Sequence, residues 1–364
     1  MLTPLHLADQ VKRAARDAGF DLAGVAPASA ESLRELAYFP EWIAAGRAGE
    51  MNYLKARDEL GRLKRAALRH AAPWARSVVV CALNYNTDQP YSTQCPEPAR
   101  GWISRYAWSS TDYHQVLLPR LQKVEAELRQ AVEAAGGPEA QTFQTRCYVD
   151  TGPVVERVFA KYAGLGWIAK NTCVINQQFG SWLFLGVVLT SLELAPDLPA
   201  PDRCGSCTRC IDACPTTAIP APYQLDATRC IAYLTIEKRG AIPEELRPGV
   251  GRHIFGCYIC QDVCPWNRPR GTRAPASPLP EFQPRPELVN PPLDWLASLT
   301  AEEFRIAFRG SAIRRTKYSG LLRNVAVAMG NSRNPRFRPH LEALAQDSDL
   351  ILAEHARWAL KRLV

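Results

Sequence analysis

The chain has 364 residues, 47% of them hydrophobic and 22% charged, with a formal net charge of +8. That size and balance permit a multi-domain soluble enzyme with a large core. They exclude a membrane-spanning helix, because the longest apolar run, Trp182–Thr190, is only strand-sized.

Leu5, Ala8, Val11 and Ala15 recur at helical spacing up to Gly19, so residues 3–19 are predicted to be helical. A strand follows over Phe20–Ala26. Further strand signals are Ser77–Leu83, Gln144–Val149, Thr172–Asn176 and Trp182–Thr190, with helices over about 113–135 and 154–163. This alternation predicts an α+β first domain, residues 1–195, with an α/β-type core. Proline-rich breaks at Ala195–Asp202 and Pro265–Pro292 then set off residues 196–270 and 271–364 as two further units. In the last unit Leu321–Gly330, Leu341–Ala345 and Ile351–Leu363 read as short amphipathic helices similar to one HEAT-type repeat, which has to pack on a neighbour.

Eight of the twelve cysteines lie between Cys204 and Cys264. The run opens with Cys204, Cys207, Cys210 and Cys214-Pro215 and closes with Cys257, Cys260 and Cys264-Pro265. This is the spacing of a ferredoxin-like module with two 4Fe-4S clusters, in which the cysteine before proline crosses to the other cluster. Cys204, Cys207, Cys210 and Cys264 are thereby assigned to one cluster, and Cys214, Cys257 and Cys260 to the second. The closing run lacks a cysteine three residues before Cys257, and Cys230 is the nearest replacement. Its offset implies an insertion, about Ile231–Gly256, that loops out between ligands and is placed to cover a substrate. Zinc also uses paired Cys-x2-Cys motifs, but a zinc ribbon has no use for a triple run ending in x3-Cys-Pro. Cys81, Cys95, Cys147 and Cys173 have no ligand spacing, and Cys81 and Cys147 read as core residues. A thiol-rich chain without a secretory-type leader is expected in the reducing cytoplasm.

The charge is uneven, with residues 266–364 holding 16 Lys and Arg against 9 Asp and Glu. Arg305, Arg309, Arg314, Arg315, Lys317 and Arg323 form the densest cluster and point to a polyanionic partner, a solvated helical face being the plain alternative.

Outside the cysteines, Val149-Asp150-Thr-Gly-Pro-Val154, Ala163–Cys173, Gly180-Ser-Trp182, Arg105-Tyr-Ala107, Asp112-Tyr-His114 and Gly256–Asn267 together resemble the epoxyqueuosine reductases, over nearly the whole chain. That family is related to the corrinoid reductive dehalogenases. The resemblance implies a cobalamin-dependent oxidoreductase that converts epoxyqueuosine to queuosine at the wobble position of tRNA, the last step of queuosine biosynthesis. It implies tRNAs with a GUN anticodon (Asp, Asn, His and Tyr) as partners and a low-potential electron donor; a monomer is expected, because one bulky tRNA must reach a site shared by two domains. It also implies Asp150 as the proton donor, with Arg57, Tyr106, Asp150, Asn171, Thr172, Ser181 and Gln261 around the corrin.

Asp150 has another reading, as a helix cap, because Asp-Thr-Gly-Pro before an apolar run is also a helix start. An aspartate is ionised at neutral pH, so acting as an acid calls for burial against the corrin. Gly164-Leu-Gly166-Trp-Ile-Ala169 matches a dinucleotide pattern but follows a helix, which fails the context for that loop. His114 lacks the glycine of the Asp-x-His-x-x-Gly cobalt motif and reads as structural, leaving cobalt without a histidine ligand. Ser109-Ser-Thr111 stands where relatives carry a glycine, which bears on a loop bordering the corrin. Two other functions remain open: a corrinoid reductase of a small molecule, and a two-cluster electron carrier with no corrin.

Overall fold

A computed structural model describes residues 3–29, 33–267 and 274–363. Helix α1 (Pro4–Asp17) begins as its sequence dictates, with the Thr3 hydroxyl accepting from His6 N at 3.2 Å and Pro4 in the first turn. Strands β1 (Leu22–Pro27) and β2 (Ser77–Asn84) follow, and the short β3 (Trp102–Ile103) precedes the long helix α2 (Tyr113–Ala135). Asp112 caps α2 by accepting from His114 N, and its Oδ1 also lies 2.6 Å from His114 Nδ1, which gives His114 the structural task expected of it. Then come β4 (Thr145–Tyr148), α3 (Glu156–Tyr162), the hairpin β5 (Trp167–Ile168) and β6 (Val174–Ile175), and β7 (Leu183–Thr190).

Four antiparallel strands form the central sheet in the order β1-β2-β7-β4. Strand β2 is buried along its whole length because both its faces are covered. Val79, Cys81 and Leu83 pack against α1 and α2, while Val78, Val80 and Ala82 pack against α3. Two-sided burial explains why its sequence is continuously apolar instead of alternating. Gly186 lets α2 close on the sheet, since a Cβ there would come within 2.7 Å of Leu121 Cδ1.

Two boundaries differ from expectation in ways that bear on the site. The predicted strand Thr172–Asn176 shortens to β6, because only Val174 and Ile175 pair across the hairpin with β5. The helix predicted from residue 154 begins at Glu156, with Val155 at its N-cap. Asp150 therefore caps no helix, and residues 149–155 form a loop between β4 and α3.

Short helices α4 (Arg209–Asp212), α5 (Ile231–Ile236) and α6 (Ile259–Asp262) lie in the cysteine segment with the strand β8 (His253–Phe255), which pairs in parallel with β3. Residues 231–256 are not the open covering loop expected of an insertion. Ile231, Leu234, Ile242, Leu246, Val250, Ile254 and Phe255 are buried in one core with helices α7 (Lys317–Ser332) and α8 (Leu350–Leu360). Apolar side chains hold the insertion inward, at a depth its ligand spacing does not reveal.

Arg323 belongs to this core too, at 2% exposure. Its Nη1 donates to Lys238 O at 2.9 Å and Gly240 O at 2.7 Å, and its Nη2 to Leu234 O at 2.7 Å. Its assignment to a basic outer surface is corrected accordingly: the guanidinium is spent on backbone carbonyls of the insertion.

His355 is fully buried, with Nε2 accepting from Ile242 N at 3.0 Å and Nδ1 2.6 Å from Ile351 O. An imidazole that must accept at one nitrogen has to stay neutral. Burial, with the nearby Arg247 and Arg323 charges, lowers its pKa to about 4, and burial lowers His253 likewise to about 4. In the unfolded chain both titrate near about 6.5, so the unfolded state binds more protons between these values. Stability is complete above roughly pH 6.5 and falls as pH drops toward 4. Denaturant midpoints measured across that window should slope upward with pH, and His355→Gln should flatten the slope without abolishing it, because His253 remains.

Candidate active site

The eight clustered cysteines gather into two groups. Cys204, Cys207, Cys210 and Cys264 line one solvent-open pocket beside Lys170, Asn171, Ile175 and Trp266. Cys204 and Cys264 seat against Trp167, Ala169 and Ile175 of the β5–β6 hairpin. Lys170 Nζ ties that hairpin to the first cysteine loop through Gly205 O (2.7 Å) and Cys207 O (3.0 Å). The other group is Cys214, Cys230, Cys257 and Cys260, whose thiolate charges act on one another, and burial drives Cys257 well above the ordinary thiol range.

Backbone amides point at these sulfurs. Ala218 N donates to Cys214 Sγ at 3.3 Å, Ala232 and Tyr233 face Cys230, Ile259 faces Cys257, and Trp266 and Asn267 face Cys264. Soft thiolates backed by N–H donors fit cubane iron-sulfur clusters, whose sulfides and ligands both need such donors. Among the described residues no three His, Cys, Asp or Glu side chains converge on a single metal ion. Of the cysteines without ligand spacing, Cys81 is buried in the sheet, but Cys173 lies against the second group, hydrogen-bonded to Cys260. Its place directly after Asn171-Thr172 was the only sequence signal for that.

Several residues expected around a corrin meet at the seam between the sheet and the cysteine segment. Asn171 Nδ2 donates to Cys260 O at 3.2 Å, and Ser181 Oγ donates to Gln261 Oε1 at 2.8 Å. Asn267, which the sequence did not single out, joins them through Ser181 Oγ and Gln261 O, both at 2.8 Å. Thr172 has φ +64°, a conformation costly for a β-branched residue, and its carbonyl accepts from Arg157 Nη1 at 3.2 Å. Tyr106 packs edge-on to Tyr113 and Tyr258, with ring centroids 6.2 and 6.4 Å apart. The structure does not bring Arg57 to this group, for it sits on an exposed turn with Nη1 on Gly61 O at 2.5 Å. Amide, hydroxyl and aromatic groups at one seam suit a corrin, whose rim carries amides and whose face is apolar.

Asp150 lies at the edge of this seam with φ +55°, and its Oδ2 accepts from the Tyr113 hydroxyl at 2.9 Å. Contrary to expectation its side chain is exposed. Half-buried Glu156, at the start of α3, has its Oε1 sealed from solvent without a hydrogen-bond partner. Burial, and then the Asp150 charge, push Glu156 up to about 7, against the pull of Arg65 and Arg157. Arg65 anchors the Asp150 loop, with Nη2 on Gly152 O at 2.6 Å and Nη1 on Tyr53 O at 2.5 Å. The Tyr53 ring also lies 5.6 Å from the Arg65 guanidinium and 5.5 Å from that of Arg315. Arg315 in turn grips Glu237 of the insertion through Nε (2.5 Å) and Nη2 (3.0 Å).

Of the basic cluster, Arg305, Arg309, Arg314, Arg315 and Lys317 are exposed. Arg305 pairs with Glu302, and among the described residues Arg309, Arg314 and Lys317 carry no ion pair. The glycine-rich segment Gly164–Ala169 links α3 to the β5 hairpin, and in it a Cβ on Gly166 would collide with Ile175 O. It is packed by a hairpin and does not run from a strand into a helix.

Residues 65–151 match the family described as epoxyqueuosine reductase QueG, DUF1730, and residues 203–267 match the 4Fe-4S double cluster binding domain. The epoxyqueuosine reductase of Pseudomonas aeruginosa is 40% identical over 369 residues, covering 99% of this chain and 95% of that relative. That of Xanthomonas campestris is 39% identical, covering 98% and 96%. A crystal structure of epoxyqueuosine reductase with an epoxyqueuosine-modified tRNA-Tyr stem loop superposes with a TM-score of 0.83 at 29% identity, over 99% of this chain and 91% of that one. The Bacillus subtilis epoxyqueuosine reductase, with its catalytic aspartate loop swung out of the active site, superposes with a TM-score of 0.79 at 26% identity over the whole of both chains. Two cysteine groups beside an aspartate loop, in a chain so similar throughout to these relatives, place it: it belongs to the epoxyqueuosine reductase family.

Proposed function

We propose that this chain reduces epoxyqueuosine to queuosine at the wobble position of tRNA, as the last step of queuosine biosynthesis, using two 4Fe-4S clusters and cobalamin. The observation that carries the reading is the meeting of both cysteine groups and the Asp150 loop at one seam. In this reading residues 1–195 hold the corrin, 196–270 the clusters, and 271–364 form a HEAT-like basic segment facing tRNA. Cys204, Cys207, Cys210 and Cys264 ligate the outer cluster, and Cys214, Cys230, Cys257 and Cys260 the inner one. Clusters held by these cysteines would supply electrons one at a time, drawn from a low-potential donor.

Cobalamin, bound at the seam by Tyr106, Asn171, Thr172, Ser181 and Gln261, supplies the low-valent cobalt chemistry at the epoxide. The chain's own residues bind and handle protons. Asp150 delivers a proton to the epoxide oxygen, and the Tyr113 hydroxyl fixes which way its carboxyl faces. Arg65, through Gly152 O, keeps the loop against the seam. Arg305, Arg309, Arg314, Arg315 and Lys317 draw in the anticodon stem loop of GUN tRNAs through its phosphates. The enzyme acts as a cytoplasmic monomer, so that one tRNA reaches a site built from all three units.

Anaerobic turnover of epoxyqueuosine-bearing tRNA, read by mass spectrometry of digested nucleosides, should show loss of one oxygen that depends on added cobalamin. Asp150→Asn should slow it by about 10²–10⁴-fold while leaving the clusters' absorbance intact. Conversion of a small halogenated or epoxide substrate in place of tRNA would favour the small-molecule reductase. Cys230→Ser should cost about half of the bound iron, as one of two clusters is lost, whereas Cys95→Ser should cost none; equal iron in both proteins would remove Cys230 from the ligand set. Arg309→Glu with Arg314→Glu should weaken tRNA binding and lower the slope of log affinity against log salt by about one to two, measured by filter binding between low and moderate salt.

A further inference from the structure

Turning an epoxide into an alkene takes two electrons and two protons, and both protons end on the oxygen that leaves as water. One exposed carboxyl gives a single proton and must then be reloaded before the second transfer. Resting on the reading of function above, we propose that Glu156 is the proton-supplying residue that reloads Asp150 within each turnover.

The placement of the two carboxyls argues for this. Glu156 opens α3 directly after the loop that begins with Asp150, and that loop is pinned at Asp150 and Gly152. Tyr113 holds Asp150 at 2.9 Å, and Arg65 Nη2 holds Gly152 O at 2.6 Å. Gly152 lies so tightly on the end of β4 that an added Cβ would sit 2.5 Å from the Tyr148 ring. The Glu156 carboxyl faces inward, with Oε1 sealed and unpartnered. A carboxylate in that position is unfavourable, because neither water nor a donor meets Oε1 and the backbone N–H of Glu156 offsets the charge only in part, whereas a neutral acid loses far less. The charged groups that act on it are Asp150 from the loop, Arg65 from the preceding segment and Arg157 from α3 itself. Asp150 raises the proton affinity of Glu156 and the two arginines lower it, which with burial leaves it titrating at about 7. An ordinary first-turn glutamate, present only to favour the helix N-terminus, is exposed and ionised. Glu156 Oε1 is neither solvated nor paired.

The transfers balance as follows. Asp150 gives its proton to the epoxide oxygen as the ring opens and becomes a carboxylate. Glu156 passes its own proton to Asp150, and Asp150 gives that second proton to the hydroxyl, which departs as water while the electrons delivered through the clusters complete the carbon–carbon double bond. Glu156 then takes up a proton from solvent, passes it to Asp150 and takes up another, so that two protons enter per turnover and both carboxyls are protonated for the next. Glu156 never touches the substrate, so it is a positioning residue whose effect passes through Asp150.

Glu156→Gln and Glu156→Asp, made in the cluster- and cobalamin-loaded enzyme, test this alongside infrared titration of the cofactor-free protein. Glu156→Gln should lower kcat by about 10²-fold with KM for the modified tRNA unchanged. Glu156→Asp should restore most of the rate, and the neutral limb of the pH–kcat profile should disappear only in the glutamine variant. In the cofactor-free protein a protonated-carboxyl C=O band should titrate near neutrality, vanish in Glu156→Gln, and titrate at lower pH in Asp150→Asn, where the charge that raises it is gone. A glutamine variant with the wild-type kcat and pH profile overturns the proposal, and so does a neutral-range band that survives Glu156→Gln. A wild-type protein that shows the coupled band yet leaves epoxyqueuosine tRNA unchanged supports the carboxyl pair and overturns the reaction assigned to it.

Discussion

The constraint on which the structure depends is that thiols far apart in the chain must be held in two groups, each ringed by backbone N–H donors. The proline-flanked cysteines enforce a crossing: Cys264 joins Cys204, Cys207 and Cys210, while Cys214 joins Cys230, Cys257 and Cys260. Short loops cannot hold such a crossing alone, since thiolates in each group repel one another until metal is bound. The surrounding elements supply the restraint. The β5–β6 hairpin clamps one loop through Lys170 and its apolar side, and α7 buttresses the insertion. Asn324 donates to Thr235 O and Ile254 O, each at 2.8 Å, so the two ends of the insertion are tied to one helix.

That buttressing also builds the site. Because the insertion is packed and not free, Glu237 is held where Arg315 can grip it, and Arg315 shares the Tyr53 ring with Arg65. A turn of the first domain, the acid loop and the basic carboxy-terminal segment are thus linked by a row of guanidinium contacts. Partly desolvated pairs of this kind fix orientation more than they add stability. Their value here is geometric: with Tyr113 they hold the Asp150 loop at the rim of the seam.

Much of this was legible in the sequence, for identifiable reasons. Cysteine spacing is a local signal, and it located both groups, including Cys230, although Cys230 lies outside the regular run. The α2 helix was legible from its apolar period and its Asp112 cap, and β2 from its unbroken apolar run. What escaped depends on contacts between distant segments. Arg323 looks like its basic neighbours until the carbonyls of residues 234–240 are brought to it. Cys173 and Asn267 have no spacing of their own and gain meaning only where the hairpin meets the cysteine segment. The motif Asp150-Thr-Gly-Pro reads equally well as a helix cap, and only the start of α3 at Glu156 decides between the two.

The position of α3 also bears on the division of labour proposed for the two carboxyls. A donor must reach substrate, which calls for exposure, and it must hold a proton at neutral pH, which calls for burial; one aspartate cannot satisfy both. The start of α3 six positions after Asp150 leaves Asp150 on a loop where it reaches outward and Glu156 on the first turn with its Oε1 sealed. Each carboxyl then meets one requirement, and the loop between them, held by Tyr113 and Arg65, joins the two. A helix beginning at residue 151 would have drawn Asp150 into capping and left the rim of the seam without its carboxyl.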